Sequence, residues 1–516
     1  MLSQDILNAL KSYAAKLERP VSLVLQTGQH EKRAELLEFL NQICSVSELL
    51  EVHERDAGLR SPISFALEAD HTAVGIEFSG IPSGHEFNSL VLAILQAGGS
   101  QVKLDPSLVA MLERIDQPTK FEVFISLSCH NCPDVVQALN QFALINPNIQ
   151  TEMIDGGLFQ DVIEARNIQG VPSVYLNGEI FANGKVETGQ LIEKLVAKYP
   201  HIAKAESVES LPVQDVTVLG GGPAGVSAAI YAARKGLKVT VIAERLGGQV
   251  KDTVGIENFI SVQETTGTQL TGNLVQHLTQ HDVTVKEHLR VRSVEPGDIK
   301  SVTLSNGEII QSKTVIVATG AKWRELGVPG EKENIGSGVA YCPHCDGPFF
   351  KGKDVAVVGG GNSGIEAALD LAGMVNHVTV FEFAPTLKAD QVLIDKAEAH
   401  DRISIIKNAQ TTEVIANGGK VSGLRYVDRE SGQQHQHDVA GIFVQIGLVP
   451  NSEFLKGVVE LSPHGEVVID EHCQTSQQGI FAAGDVSTVP FKQIVIAVGE
   501  GSKASLSAFD HLIRAA

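Results

Sequence analysis

Twice in this chain a short apolar strand runs into a glycine turn, then into a helix rich in small residues, then into a second apolar strand. The first pass reads DVTVLG, GGPAG, VSAAIYAARKG and LKVTVIAE from position 215; the second reads KDVAVVG, GGNSG, IEAALDLAGMV and HVTVFEF about 140 residues later. Strands that are apolar throughout are buried on both faces, so each pass is a βαβ unit and the fold class is α/β. Within the first turn Gly220 permits the tight bend, Gly222 lets backbone amides approach a pyrophosphate, and Gly225 lets the helix pack closely on the strand. The carboxylate that a ribose calls for follows as Glu244, closing the second strand. Gly359, Gly361, Gly364 and Glu382 repeat the whole arrangement. A carboxylate at Glu382 accepts from a ribose 2′-hydroxyl and repels a 2′-phosphate, and the residues after it, Phe383-Ala384-Pro385, bring no arginine to receive one. Two dinucleotide sites are therefore expected, the second favouring NADH over NADPH.

The 516 residues exceed what one hydrophobic core organises, and a hydrophobic fraction of 43% is ample for several cores. A net charge of −20 repels phosphate backbones and anionic membrane surfaces, which argues against nucleic acid and membrane as partners. No apolar run reaches the ~18 residues that span a bilayer, and the opening MLSQDILNALKSYAAKL lacks the basic-then-apolar order of a signal peptide. A cytoplasmic protein is expected.

The N-terminal part looks doubled. VSLVLQTGQHEKRAELLEFL (21–40) has the strand, turn and helix order of FEVFISLSCHNCPDVVQALNQF (121–142), and SPISFALEAD matches VPSVYLNGEI as a proline followed by a strand. At an offset of about a hundred residues the first copy carries Gln29 and Lys32 where the second carries cysteines, so the first copy is expected to be chemically silent, with a structural or docking role. A charged, small-residue stretch ending at Pro212 reads as a linker before the first glycine unit.

Four of the six cysteines form two CxxC pairs, Cys129–Cys132 and Cys342–Cys345. A reducing compartment leaves few structural disulfides, so such pairs there are catalytic or metal-binding. A zinc ribbon needs its pairs about fifteen to twenty residues apart, whereas Cys129 and Cys342 are 213 positions apart, so no metal is expected. A redox pair needs one exposed thiolate of lowered pKa, which a helix N-terminus supplies, and a second thiol close by to resolve the mixed disulfide. SLSCHNCPDVVQALNQF fits, with Cys129 as attacking thiol and Cys132 as resolver. Cys44 and Cys473 are unpaired and read as small buried thiols.

Further segments carry a family resemblance. The GVPS segment at 170–173 resembles the cis-proline segment that faces the CxxC in thioredoxin folds, which makes Pro172 a site residue. VIVATGA (315–321) and GIFAAGDV (479–486) resemble the strand-and-glycine signatures of two-dinucleotide flavoprotein reductases, while GGQV (247–250), ENF (257–259) and FKQIVIAVGEG (491–501) resemble flavin-contacting segments of bacterial thioredoxin reductases. By that resemblance the first dinucleotide is FAD, held also by Gly248, Gln249, Asn258, Thr319, Gly320, Gly484, Asp485 and Gln493. CPHCDG resembles the CxxCD unit of the same enzymes, which implies Cys345 as the flavin-proximal thiol, Cys342 as the interchange thiol and Asp346 as proton donor and acceptor, with His344 sharing that role or merely exposed.

Taken in order, the parts resemble the flavoprotein subunit of bacterial alkyl hydroperoxide reductases over essentially the whole chain. The resemblance implies a thioredoxin-like repeat without CxxC (1–115), a second with it (116–198), a linker (199–213), a first FAD-binding part (214–327), an NADH-binding domain carrying the second pair (328–448) and a second FAD-binding part (449–516). It implies electron flow from NADH to FAD, to Cys342–Cys345, to Cys129–Cys132 and on to the disulfide of a peroxiredoxin, and a homodimer. It also suggests Glu86, in GHEF, as an acid near the N-terminal cysteines, although the same residue can simply cap a helix beginning at Phe87. A thioredoxin or glutaredoxin reductase with its acceptor fused, and a redox sensor without turnover, remain the competing readings.

Overall fold

The computed structural model describes residues 2–515 apart from 130, 167, 169, 204–210, 254–255, 257, 336–337, 342, 344–346 and 418–419. Two compact units emerge, Met1–Glu206 and Ser207–Ala516.

The first unit is built on one eight-stranded sheet. Its strands are β1 (Val21–Gln26), β2 (Leu50–Arg55), β3 (Ser64–Ala69), β4 (Thr72–Ser79), β5 (Thr119–Ile125), β6 (Ile149–Asp155), β7 (Ser173–Leu176) and β8 (Glu179–Asn183). The spatial order is β2-β1-β3-β4-β6-β5-β7-β8, so the four-strand pattern 2-1-3-4 occurs twice side by side. In each half the first two strands are parallel and the last two antiparallel, and a helix, Arg33–Cys44 or Cys132–Ile145, joins the parallel pair. The seam is the parallel pairing of β4 with β6, from Ile76 opposite Thr151 to Ser79 opposite Ile154. VSLVLQ and TKFEVFI make the two central strands because β-branched and aromatic side chains fill both buried faces.

Charges lie across that seam. Glu122 and Glu152 sit directly opposite each other on β5 and β6. Arg60 joins them, donating to Glu152 at 2.6 and 2.9 Å and to Glu122 at 2.6 Å. Arg166 donates to Glu122 at 2.8 and 3.1 Å, and the Ser79 hydroxyl to Glu152 at 2.6 Å. Glu152 is only 1% exposed, and a carboxylate so buried is tolerated because each oxygen is paired.

The second unit holds two parallel cores. In the first sheet Val283–Glu287, Val239–Ala243, Gln214–Leu219 and Ile309–Val317 run parallel, continued by an antiparallel meander through Lys300–Leu304 and Val291–Glu295. Ile480–Ala482, from near the end of the chain, pairs in parallel with Val315–Val317. The helix Pro223–Ala233 is made of small residues because the helix Ile494–Ala515 crosses it closely: a Cβ on Gly501 would lie 2.0 Å from the Ala224 carbonyl. In the second sheet Val339–Ala340, Gly441–Val444, Asp354–Val358, His377–Phe381 and Ile403–Ile406 are all parallel, beside an antiparallel trio, Ala409–Asn417, Lys420–Asp428 and Gln434–Asp438. The chain passes out to this second sheet and back through one two-stranded bridge, Ala321–Trp323 against Leu448–Pro450. Among the described residues no helix is long and apolar enough to cross a membrane.

Candidate active site

The two glycine turns show what each glycine is for. Gly220 and Gly359 have φ of +118° and +123°, and a Cβ on either would meet the carbonyl of Ala318 or Gln445 at 2.1 or 2.2 Å. Gly225 and Gly364 sit 1.9 Å, measured from an added Cβ, from the carbonyls of Gly220 and Gly359. Gly222 and Gly361 differ: no atom stands within 4 Å of a Cβ on Gly361, and on Gly222 the only near neighbour is the Gly248 Cα at 4.0 Å. Both are N-cap residues whose helices, Pro223–Ala233 and Asn362–Ala372, receive no side-chain cap. Open space in front of unpartnered helix amides fits a pyrophosphate in each case.

Around the first turn the chain gathers the other segments singled out for FAD. The Asn258 amide donates to Gln493 Oε1 at 3.2 Å across 235 positions, and the Gln249 amide donates to the Ala321 carbonyl. Gly248 lies against Gly222, and Gly484, at φ +75°, lies against Ala224 and brings Asp485 with it. Burial raises the Asp485 carboxyl, and Lys492 opposes that shift. Glu244 ends its strand half exposed and pairs with Arg290 Nε at 3.0 Å. Thr319 and Gly320 are held by a residue that the sequence motifs did not single out. Asn451 accepts at its carbonyl from the Thr319 hydroxyl at 2.7 Å, donates its side-chain amide to the Thr319 carbonyl at 2.9 Å, and donates its backbone N–H to the Gly320 carbonyl at 2.9 Å. An asparagine directly after a strand-ending proline was its one signal.

At the second turn Glu382 is buried, accepting from the Gly360 amide at 2.6 Å and the Ala384 amide at 2.7 Å. Four lone pairs for two bonds leave it free to accept from a ribose. The expectation that no arginine stands near needs correcting. Arg429, just past Lys420–Asp428, stacks on the Phe383 ring at 3.8 Å and donates to the Phe383 carbonyl at 2.8 Å. The residues that follow the strand carry no hint of it, because the fold delivers this guanidinium from 46 positions away.

The N-terminal pair forms an asymmetric dithiol. Cys129 precedes the helix Cys132–Ile145, partly exposed, its thiol 3.7 Å from the Val171 carbonyl; the Val171–Pro172 bond is cis. A hydrogen bond from Cys132 lowers the Cys129 pKa, helped by the amides of Asn131 and Cys132 against the effect of burial. Cys132 is fully buried, and desolvation, then its bond to Cys129, pushes its thiol far up. Glu86 comes from the other half of the sheet. It is fully buried, neither oxygen has a hydrogen-bond partner at normal geometry, and its side chain does not cap the helix Phe87–Ala97. Burial raises it to about 7, with Ser89 opposing and Asp134 adding to the shift, and its charge is felt at both thiols. Cys44 is mostly buried and pushed up to about 12, and Cys473 is fully buried with its thiol donating to Glu500 at 3.0 Å. Cys342, His344, Cys345 and Asp346 lie outside the described residues. Among the described residues no group of three or more His, Cys, Asp or Glu side chains could hold a metal ion.

Known proteins share this arrangement. The pyridine nucleotide-disulphide oxidoreductase family model matches residues 214–501, and a thioredoxin domain model matches residues 119–197. The F subunit of alkyl hydroperoxide reductase from Pseudomonas putida is 51% identical over 517 residues, covering 100% of this chain and 99% of that protein. Its counterpart from Escherichia coli (strain K12) is 49% identical over 519 residues with the same two coverages. Among solved structures, thioredoxin reductase from Lactococcus lactis superposes with a TM-score of 0.54 at 32% identity, and that from T. acidophilum with 0.52 at 36%, each spanning 58% of this chain and 99% of that one.

Proposed function

The chain belongs to the family of alkyl hydroperoxide reductase F subunits, and from that premise we propose a relay that carries electrons from NADH to the disulfide of a separate peroxiredoxin. It is a flavoprotein disulfide oxidoreductase whose cofactors are FAD and a nicotinamide dinucleotide. FAD, when bound, supplies a centre that takes two electrons from NADH and passes them to a disulfide. The residues that would hold it are Gly220, Gly222, Gly225, Glu244, Gly248, Gln249, Asn258, Thr319, Gly320, Gly484, Asp485 and Gln493. Those for NADH are Gly359, Gly361, Gly364 and Glu382, whose buried carboxylate supports NADH over NADPH even with Arg429 nearby.

Cys342 and Cys345 receive the two electrons, with Asp346 handling the proton, and the resulting dithiol reduces Cys129–Cys132. The observation that carries the last step is the asymmetry of the N-terminal thiols, one lowered and partly exposed, one raised and buried. The Cys129 thiolate attacks a sulfur of the partner's disulfide, and the displaced partner thiolate takes up a proton. Cys132 then gives its proton to Glu86 and attacks Cys129 at the mixed disulfide, and the second partner sulfur leaves as a thiolate that takes that proton back from Glu86. One dithiol becomes a disulfide and one disulfide a dithiol, with two electrons and two protons moved. Pro172 lines the pair, and the silent repeat serves through Glu86. The six-part division of the chain, a homodimer and a cytoplasmic location complete the proposal.

Anaerobic titration with NADH, following flavin absorbance and counting thiols, tests it. Uptake of about three two-electron equivalents is expected, one for the flavin and one for each CxxC. Uptake of a single equivalent would sink the relay.

A further inference from the structure

We infer that Glu331, Tyr341 and Gln445 form a brace that fixes the Tyr341 peptide leading into Cys342 and thereby tunes the redox equilibrium of the Cys342–Cys345 pair. The inference rests on the redox assignment of that pair and says which described residues hold its entry.

Two buried side chains converge on Tyr341. Its hydroxyl donates to Glu331 Oε1 at 2.9 Å, and its carbonyl accepts from the Gln445 amide at 2.8 Å. That carbonyl belongs to the peptide unit that continues into the Cys342 nitrogen, so the Gln445 bond fixes the last peptide before the first thiol. Gln445 is 5% exposed and does a second thing with its backbone. Its N–H donates to the Val358 carbonyl at 2.7 Å, and its own carbonyl lies 2.2 Å from where Gly359 would carry a Cβ. A single residue thus closes the NADH glycine turn with its main chain and holds the approach to Cys342 with its side chain.

Glu331 ties the same point to the two-stranded bridge. It is fully buried and accepts from the amides of Leu326 and Gly327 at 2.7 and 2.6 Å, in the turn that follows Ala321–Trp323. The Tyr341 ring packs with Leu326 and Val328 on the core that includes Val339, Val358 and Phe381. A carboxylate needed only to close its own turn has two amides for that purpose. The third bond, to a tyrosine one residue before a redox cysteine, is what a positioning role adds. Preorganised flanks raise the effective concentration of one thiol at the other, so loosening them disfavours closure of the disulfide.

The test is thiol trapping of the full-length protein across a dithiothreitol redox series. Gln445→Leu is expected to lower the equilibrium constant for the Cys342–Cys345 disulfide about fivefold, the value of one buried hydrogen bond, with Tyr341→Phe shifting it the same way by about twofold. Tyr341→Phe keeps the ring in the core and therefore the fold. Cys129–Cys132 in the same molecules is the internal reference and should not move. An unchanged Cys342–Cys345 equilibrium in both variants, or an equal shift of both pairs, overturns the brace. The parent treated anaerobically with NADH separates the two levels: if Cys342 and Cys345 stay oxidised there, the redox assignment falls and the brace with it.

Discussion

The two halves of the N-terminal sheet share strand order, strand sense and a helix at the same place, yet only one carries thiols at the start of that helix. In the second half the helix opens on Cys132 with Cys129 just before it. In the first half the same helix opens at Arg33 after Lys32, whose ammonium merely pairs with Glu35 at 2.9 Å. The silent half has not become inert. It contributes Glu86, and it contributes Arg60, which clamps two carboxylates of its neighbour. On the proposed relay, duplication separates chemistry from the electrostatic setting that chemistry needs.

That division of labour can be broken most sharply at the thiols. Cys129→Ser should reduce peroxiredoxin-dependent NADH oxidation by about a thousandfold or more, because the proposed relay makes its thiolate the nucleophile, whereas Cys44→Ser in the first half should stay within about twofold. Equal losses from the two substitutions would erase the distinction. Next in size is the clamp between the halves. Glu152→Gln leaves Arg60 and Lys120 short of a buried partner, and urea unfolding should show a loss of about 3 kcal/mol. A loss within experimental scatter would mean that the halves are held by strand pairing alone.

The smallest effect sharpens the comparison instead. Glu86→Gln should slow thiol exchange about tenfold while leaving NADH reduction of the flavin untouched. Because the folded-state pKa of Glu86 is raised to about 7, the native chain holds a proton that the unfolded chain releases from about pH 4.5 upward. Its contribution to stability is fully present below that range and is lost as pH rises through 7. Thermal unfolding of the parent should therefore weaken between pH 5 and pH 8 by more than that of the glutamine variant. Parallel pH profiles would show that the silent half's carboxyl does not titrate there.

The sequence made the glycine turns readable because the glycines and the acidic residue that mark each of them lie within about twenty-five positions. The cysteine pair was readable for the same reason, since CxxC spacing and the following Pro133 are local. Asn451, Arg429, Gln445 and Arg60 were not. Each acts on a segment between 46 and 132 positions away, through side chains whose partners only the tertiary fold selects. Glu86 lies between these cases: the resemblance pointed to it, but its burial depends on the two halves being joined, which no local pattern reports. The arginine at Phe383 shows the cost of arguing absence from a strand's own neighbours.

The bridge of Ala321–Trp323 with Leu448–Pro450 bears on how the chain acquires its shape during synthesis. Val315–Val317 must wait for Ile480–Ala482, a partner 165 positions downstream, before their sheet is complete. Closing so long a loop from a disordered chain is slow and entropically costly. The segment in between has its own parallel sheet, however, and once it has folded the bridge brings Ala321 and Pro450 side by side, shortening the gap that diffusion must close. The eight-stranded sheet, finished by Asn183, can form while the ribosome is still working on the rest. The order of parts along the chain is thus also a timetable, with the sheet behind the first glycine turn completed last.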